Sequence, residues 1–271
     1  MKTFTSILAF FIWTGSFGQF GKLKGIWVTP TQDLLMVDDT AYLNIRNYLS
    51  NSKLEEKNFL LFLYGDTLSF QSHYTSSKTD FKVEYIDRYD FKILKVTDSI
   101  LIVKPTSKLS KDFYQNKEQI TFTKQKYAID SSIIFKKIAF HTTLCYGECP
   151  VYHLEIDSSG FAKLNARVVY KPKSYQHDTS AQGNFIGQLS APVFENLIDV
   201  LKTSNLRTLR MNETECCDGV VFTIIVYFNG QKKYFKTMTP PMIANNLIMT
   251  LFDICKKNGL KRTEGNINLV E

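Results

Sequence analysis

The chain of 271 residues is 44% hydrophobic and 22% charged, a globular composition with length for two modest domains, which excludes a disordered or collagen-like polymer. Its 33 basic against 26 acidic residues give a net charge of +7, with nowhere more than two basic residues in a row. That excess reads as a solvated surface and excludes a nucleic-acid track as partner. With 21 Phe and 14 Tyr against 13 Gly and 7 Pro, the chain favours strands around a well-filled core.

Lys2 precedes an apolar run from Ile7 to Trp13 and then the small residues Gly15, Ser16 and Gly18. This pattern predicts a secretory signal peptide over 1–18, cleaved before Gln19, and a periplasmic or extracellular mature protein. Thr5, Ser6, Thr14 and Ser16 interrupt the run, so it falls short of the roughly 20 apolar residues of a membrane anchor, and no later segment could span a bilayer. No cysteine lies near the expected cleavage point to carry a lipid.

Short segments rich in Phe, Tyr, Ile, Val and Thr follow, at Phe59 to Tyr64, Thr67 to Gln71, Phe81 to Tyr85, Phe91 to Val96, Ile100 to Lys104 and Gln119 to Lys124. Their turns fall at Gly65-Asp66, Asp87-Arg88 and Thr97-Asp98, which makes an up-and-down meander. Closing the meander into a small antiparallel barrel over 19–127 removes its exposed edges.

The triplet Gly25-Ile26-Trp27 resembles the Gly-x-Trp opening of lipocalins and lipocalin-like domains. The resemblance implies that Trp27 plugs one barrel end, with an interior lined by Phe81, Val83 and Tyr85 that takes a small apolar ligand. Aromatic side chains packed against one another would instead make the barrel solid.

Strand-like runs next cover Ser132 to Thr143, Val151 to Ile156 and Phe161 to Tyr170. A helix begins near Ser190 and Pro192, with Val193, Phe194, Leu197, Ile198 and Leu201 on one face. Val220 to Phe228 and Lys232 to Thr237 flank Asn229-Gly230, a strong hairpin signal, and Pro240-Pro241 opens a second helix whose stripe includes Leu247, Leu251 and Cys255. The order βββαββα predicts an α+β domain with an antiparallel sheet over 131–260, followed by a frayed tail over 261–271.

Between the first two strands of that domain lies Cys145-Tyr146-Gly147-Glu148-Cys149-Pro150-Val151-Tyr152. It is similar to the Cys-Phe/Tyr-Gly-x-Cys-Pro-x-Tyr signature of an uncharacterised domain-of-unknown-function family in exported bacterial proteins. The resemblance spans about 133–257 and implies a fold unit without a known reaction.

Three readings compete for Cys145 and Cys149. In an oxidising envelope they close a disulfide. Thioredoxin-type redox motifs have two intervening residues at a helix N-terminus, whereas this loop has three and joins two strands. His141, Cys145, Cys149 and His153 fall four residues apart, which zinc could accept, although strand side chains alternate faces. Cys255 reads as a buried thiol, and the pairing of the adjacent Cys216 and Cys217 stays open.

No Gly-x-Ser-x-Gly elbow, His-Glu-x-x-His helix, phosphate loop or dinucleotide fingerprint occurs, and nothing calls for a cofactor. The sequence therefore predicts an exported, non-enzymatic binding or interaction protein, its partner a small apolar ligand or another envelope protein. The competing expectation is a thiol-redox or metal enzyme centred on Cys145 and Cys149.

Overall fold

The computed structural model describes residues 21–38, 46–213, 218–256 and 259–269. The expected signal peptide and the Cys216-Cys217 pair lie outside them. The chain divides into two compact units between Ala128 and Ile129, one a closed barrel and the other a seven-stranded sheet.

Eight antiparallel strands build the barrel: β1 (Gly25–Val28), β2 (Leu34–Val37), β3 (Asn47–Ser50), β4 (Glu56–Tyr64), β5 (Thr67–Thr75), β6 (Glu84–Val96), β7 (Ile100–Pro105) and β8 (Ile120–Lys124). Pairing of Trp27 with Lys124 and Val28 with Thr123 closes the ring. Inward residues alternate along the strands, as in Phe59 and Leu61 of β4 or Leu68 and Phe70 of β5, all buried. The strands β2 and β3 escape the sequence reading because four residues are too few to show a period. A short helix, α1 (Lys108–Phe113), also escapes it; Ser107 caps it by accepting from the Ser110 N–H. This helix delivers Phe113 and Tyr114 into the core.

The interior is solid with rings. Phe59 meets Phe70 at 5.9 Å, Phe70 meets Phe91 at 5.9 Å, Phe91 meets Tyr114 at 5.7 Å and Tyr114 meets Phe122 at 6.2 Å, each edge to face. Phe81, Val83 and Tyr85, expected to line this interior, do not: they are 66%, 45% and 37% exposed. Register explains the correction. Pairing of β4 with β5 reaches only to Gln71, and pairing of β6 with β7 begins at Phe91, so Ser72–Thr75 and Glu84–Asp87 pair only with each other. That end of the hairpin projects beyond the wall, where Tyr74 and Tyr85 stack at 5.5 Å. The segment Phe81 to Tyr85 is not one strand, since Phe81 has φ 58° in the connecting loop. Asp87-Arg88 is not a turn but part of the continuous β6.

The second unit is an antiparallel sheet of β9 (Phe135–Thr142), β10 (Val151–Asp157), β11 (Phe161–Val168), β12 (Gly183–Gln188), β13 (Phe222–Phe228), β14 (Gln231–Thr237) and β15 (Lys261–Thr263), in the spatial order β14-β13-β9-β10-β11-β12-β15. Helices α2 (Ala191–Thr203) and α3 (Asn245–Lys256) complete the α+β unit. On α3, Phe252 lies 5.4 Å from Phe140 and 6.2 Å from Tyr152, which marks the helix-covered face of the sheet. Leu197 and Leu201 of α2 and Leu247, Leu251 and Cys255 of α3 are buried. Burial pushes the Cys255 thiol well above its ordinary range.

Two strands exceed the expected βββαββα order. One is β12, whose sequence Gly-Asn-Phe-Ile-Gly-Gln gives little apolar alternation. The other corrects the frayed tail: Lys261–Thr263 pairs with Ile186, Phe185 and Asn184 of β12, so the unit extends past residue 260.

Candidate binding groove on the open sheet face

Strand alternation decides what the uncovered face carries. Because Phe140, Tyr152 and Leu164 face the helices, His141, His153 and Asn165 face the other way. Register then aligns one polar residue per strand across the entire sheet: Lys236 opposite Thr223, Thr223 opposite His141, His141 opposite His153, His153 opposite Asn165, Asn165 opposite Asn184, and Asn184 opposite Thr263. Asn165 donates from Nδ2 to Asn184 Oδ1 at 2.7 Å.

Above this row lies a groove of about 830 Å³. Its floor is His141, His153, Asn165, Thr223 and Ile225, and Arg167, Lys232 and Tyr234 also line it. The remaining lining comes from Ile267, Asn268 and Leu269 of the C-terminal segment. Asn184 Nδ2 donates to Gly265 O and Lys163 Nζ donates to Asn268 O, each at 3.2 Å, which holds that segment against the sheet.

Two features set the groove's chemistry. The Nδ1 atoms of His141 and His153 are 2.9 Å apart, so one donates to the other according to tautomer. Burial first, and the positive Arg167 second, hold the His153 imidazole below its ordinary value of 6.5. The second feature is unbalanced positive charge. Glu155, on the same face, is engaged by Lys137 at 3.1 Å, and among the described residues neither Arg167 nor Lys232 meets a carboxylate.

Cys145 and Cys149 are joined in a disulfide with Cα atoms 5.6 Å apart. Thr142 fastens the base of their loop, donating from Oγ1 to Pro150 O at 2.7 Å and accepting from the Tyr152 N–H at 2.9 Å. Tyr146 at the tip is 91% exposed, while its N–H donates to Asp218 O at 3.1 Å. The four-residue metal set of the sequence reading is thus divided: the histidines converge on the open face, but both sulfurs are bonded to each other. Among the described residues no three His, Cys, Asp or Glu side chains cluster as metal ligands.

Trp27 is fully buried in the barrel; its Nε1 donates to Leu23 O at 2.6 Å and Lys124 Nζ sits 4.9 Å from the ring centre. Of the residues named from sequence, only His141 and His153 enter the groove. Asn165, Arg167, Thr223, Lys232 and Tyr234 were missed, because their common feature is a sheet register joining strands as far apart in sequence as His141 and Tyr234.

Residues 136–251 match the family model of a domain of unknown function (DUF6438). The match runs from β9 into α3 and so includes the disulfide loop, the histidine pair and the groove residues up to Tyr234. No curated protein matches the chain. Among the described residues no helix is long and apolar enough to cross a membrane.

Proposed function

We propose that the chain is an exported, non-catalytic binding protein whose ligand site is the groove on the open face of its second sheet. The carrying observation is that Asn165, Arg167, Lys232 and Tyr234 line one concave surface floored by the histidine pair. These groups offer amide, guanidinium, ammonium and phenol contacts that fix and orient a ligand. Export is supported by Lys2 and the apolar run from Ile7 to Trp13, and by the Cys145–Cys149 disulfide, a bond that persists in oxidising compartments. The Cys145 to Tyr152 loop serves in this reading as the rigid signature of its domain family, and the barrel, opening on Gly25-Ile26-Trp27, as a lipocalin-like scaffold. With the barrel interior filled by rings, the groove replaces it as the place for a ligand.

Thermal unfolding of the mature protein against a panel of sugars, organic acids and short peptides tests this. A rise in Tm with a panel member, lost in Tyr234→Ala and Arg167→Gln, is the expected result. Stabilisation that survives both substitutions places the site elsewhere, and chemical turnover of any panel member, followed by NMR, overturns the non-catalytic assignment. Mass spectrometry of protein recovered outside the cytoplasm should find a mature N-terminus at Gln19.

A further inference from the structure

We infer that the groove captures an oxyanion, carboxylate or phosphate in type, and takes up a proton on the His141–His153 pair as it does so. The inference rests on the groove being the ligand site.

Charge selects the ligand class. Arg167 lines the groove beside Asn165 and the histidine pair, Lys232 lines it farther along β14, and Glu155, a carboxylate of that face, is held by Lys137. A guanidinium pairs in two-pronged fashion with carboxylate or phosphate oxygens, and Asn165 and Tyr234 add neutral donors beside it.

Geometry supplies the proton coupling. With Nδ1 atoms 2.9 Å apart, the pair holds its internal hydrogen bond only while at least one Nδ1 is unprotonated. His141 of β9 meets His153 directly and Arg167 of β11 stands near enough to oppose its charge, while Glu155, next along its own face, is engaged by Lys137; on β14, Lys236 falls in the same row two strands beyond His141, and Lys232 lies farther along, level with Asp157. Burial and the neighbouring Arg167 therefore make the pair resist a further positive charge. A bound anion reverses the local field, favours the charged imidazole and converts it into an additional donor. One proton taken up makes affinity rise as pH falls.

The test is calorimetric titration of the full mature protein with sulfate and with tartrate, whose charges stay nearly constant from pH 8 to 5.5. Measurements in buffers of different ionisation enthalpy count protons directly. We expect affinity about tenfold higher at pH 5.5 than at pH 8, with uptake of close to one proton. Arg167→Gln should lose at least tenfold at both pH values. His153→Gln should abolish the pH dependence, its affinity ratio between pH 5.5 and pH 8 falling from about tenfold to about one and its proton uptake to near zero, whatever its affinity at pH 8.

A preference for sulfate over tartrate assigns a phosphate-like ligand, and the reverse a carboxylate. Wild-type binding without proton uptake, or with equal affinity at both pH values, overturns the coupling and leaves the groove as a binding site. Binding of neither probe at either pH overturns the oxyanion assignment, while a neutral ligand that stabilises the protein through Tyr234 would keep the groove reading intact.

Discussion

Lys117 reaches 84 residues back along the chain to place its Nζ 2.5 Å from Oδ2 of the fully buried Asp33. The same carboxylate accepts from the Ser52 N–H at 2.9 Å and from the Thr29 and Thr31 hydroxyls at 3.3 Å. One anion thus ties the β1–β2, β3–β4 and β7–β8 connections at a single end of the barrel. Lys117→Met leaves that carboxylate buried without its counter-charge and should cost about 3 kcal/mol in urea unfolding. A loss within about 0.5 kcal/mol would show that the hydrogen bonds alone hold Asp33, as ordinary surface substitutions cost no more.

The ring-filled barrel makes its own prediction. Phe70 touches both Phe59 and Phe91, so Phe70→Ala should cost about 3 to 5 kcal/mol and leave an apolar void. Benzene should stabilise this variant and not the wild type, as dry engineered cavities do. Equal stabilisation of the wild type would reveal a natural cavity.

For the disulfide, Cys145→Ser with Cys149→Ser should lower stability by about 2 kcal/mol, the chain-entropy value for so small a loop. In the wild type both sulfurs should resist alkylation until a reductant is added. Modification of either cysteine in the untreated, folded protein would contradict the bond.

The His153 environment gives a pH dependence with a definite sign. Its imidazole is held below 6.5 in the folded protein, so between the two values the unfolded chain binds more protons. Its stabilising contribution is complete above pH 6.5 and is lost as pH falls through 6.5 toward the lower folded value. Urea midpoints of the isolated second unit should therefore drop below pH 6.5, and His153→Gln should flatten that drop. An unchanged slope in the variant would place the titration in another group.

The division between Ala128 and Ile129 predicts that fragments 19–128 and 129–271 each unfold cooperatively. Ending the second fragment at residue 260 removes β15 and exposes the β12 edge. That shorter fragment should be the less stable of the two versions, as read by circular dichroism melts.

Local pattern was sufficient for much of this protein. Alternation from Phe59 to Tyr64, the turn at Gly65-Asp66, the Asn229-Gly230 hairpin and the apolar stripe through Leu247 and Leu251 each depend on neighbours a few residues away. So does the close spacing of Cys145 and Cys149. A barrel followed by an α+β sheet was therefore legible.

Tertiary structure decided what depends on distant partners. The strand β15 has three residues and no period of its own; it is a strand because β12 offers an open edge. Phe81 and Val83 are apolar yet exposed, because the β5–β6 ribbon outruns the strands beside it. The groove arises when register brings Thr223, His141, His153 and Asn165 into one row. A shift of a single residue in any of those strands would turn the same side chains toward the helices. Sequence sets which residues alternate, but only the pairing of whole strands sets which of them meet.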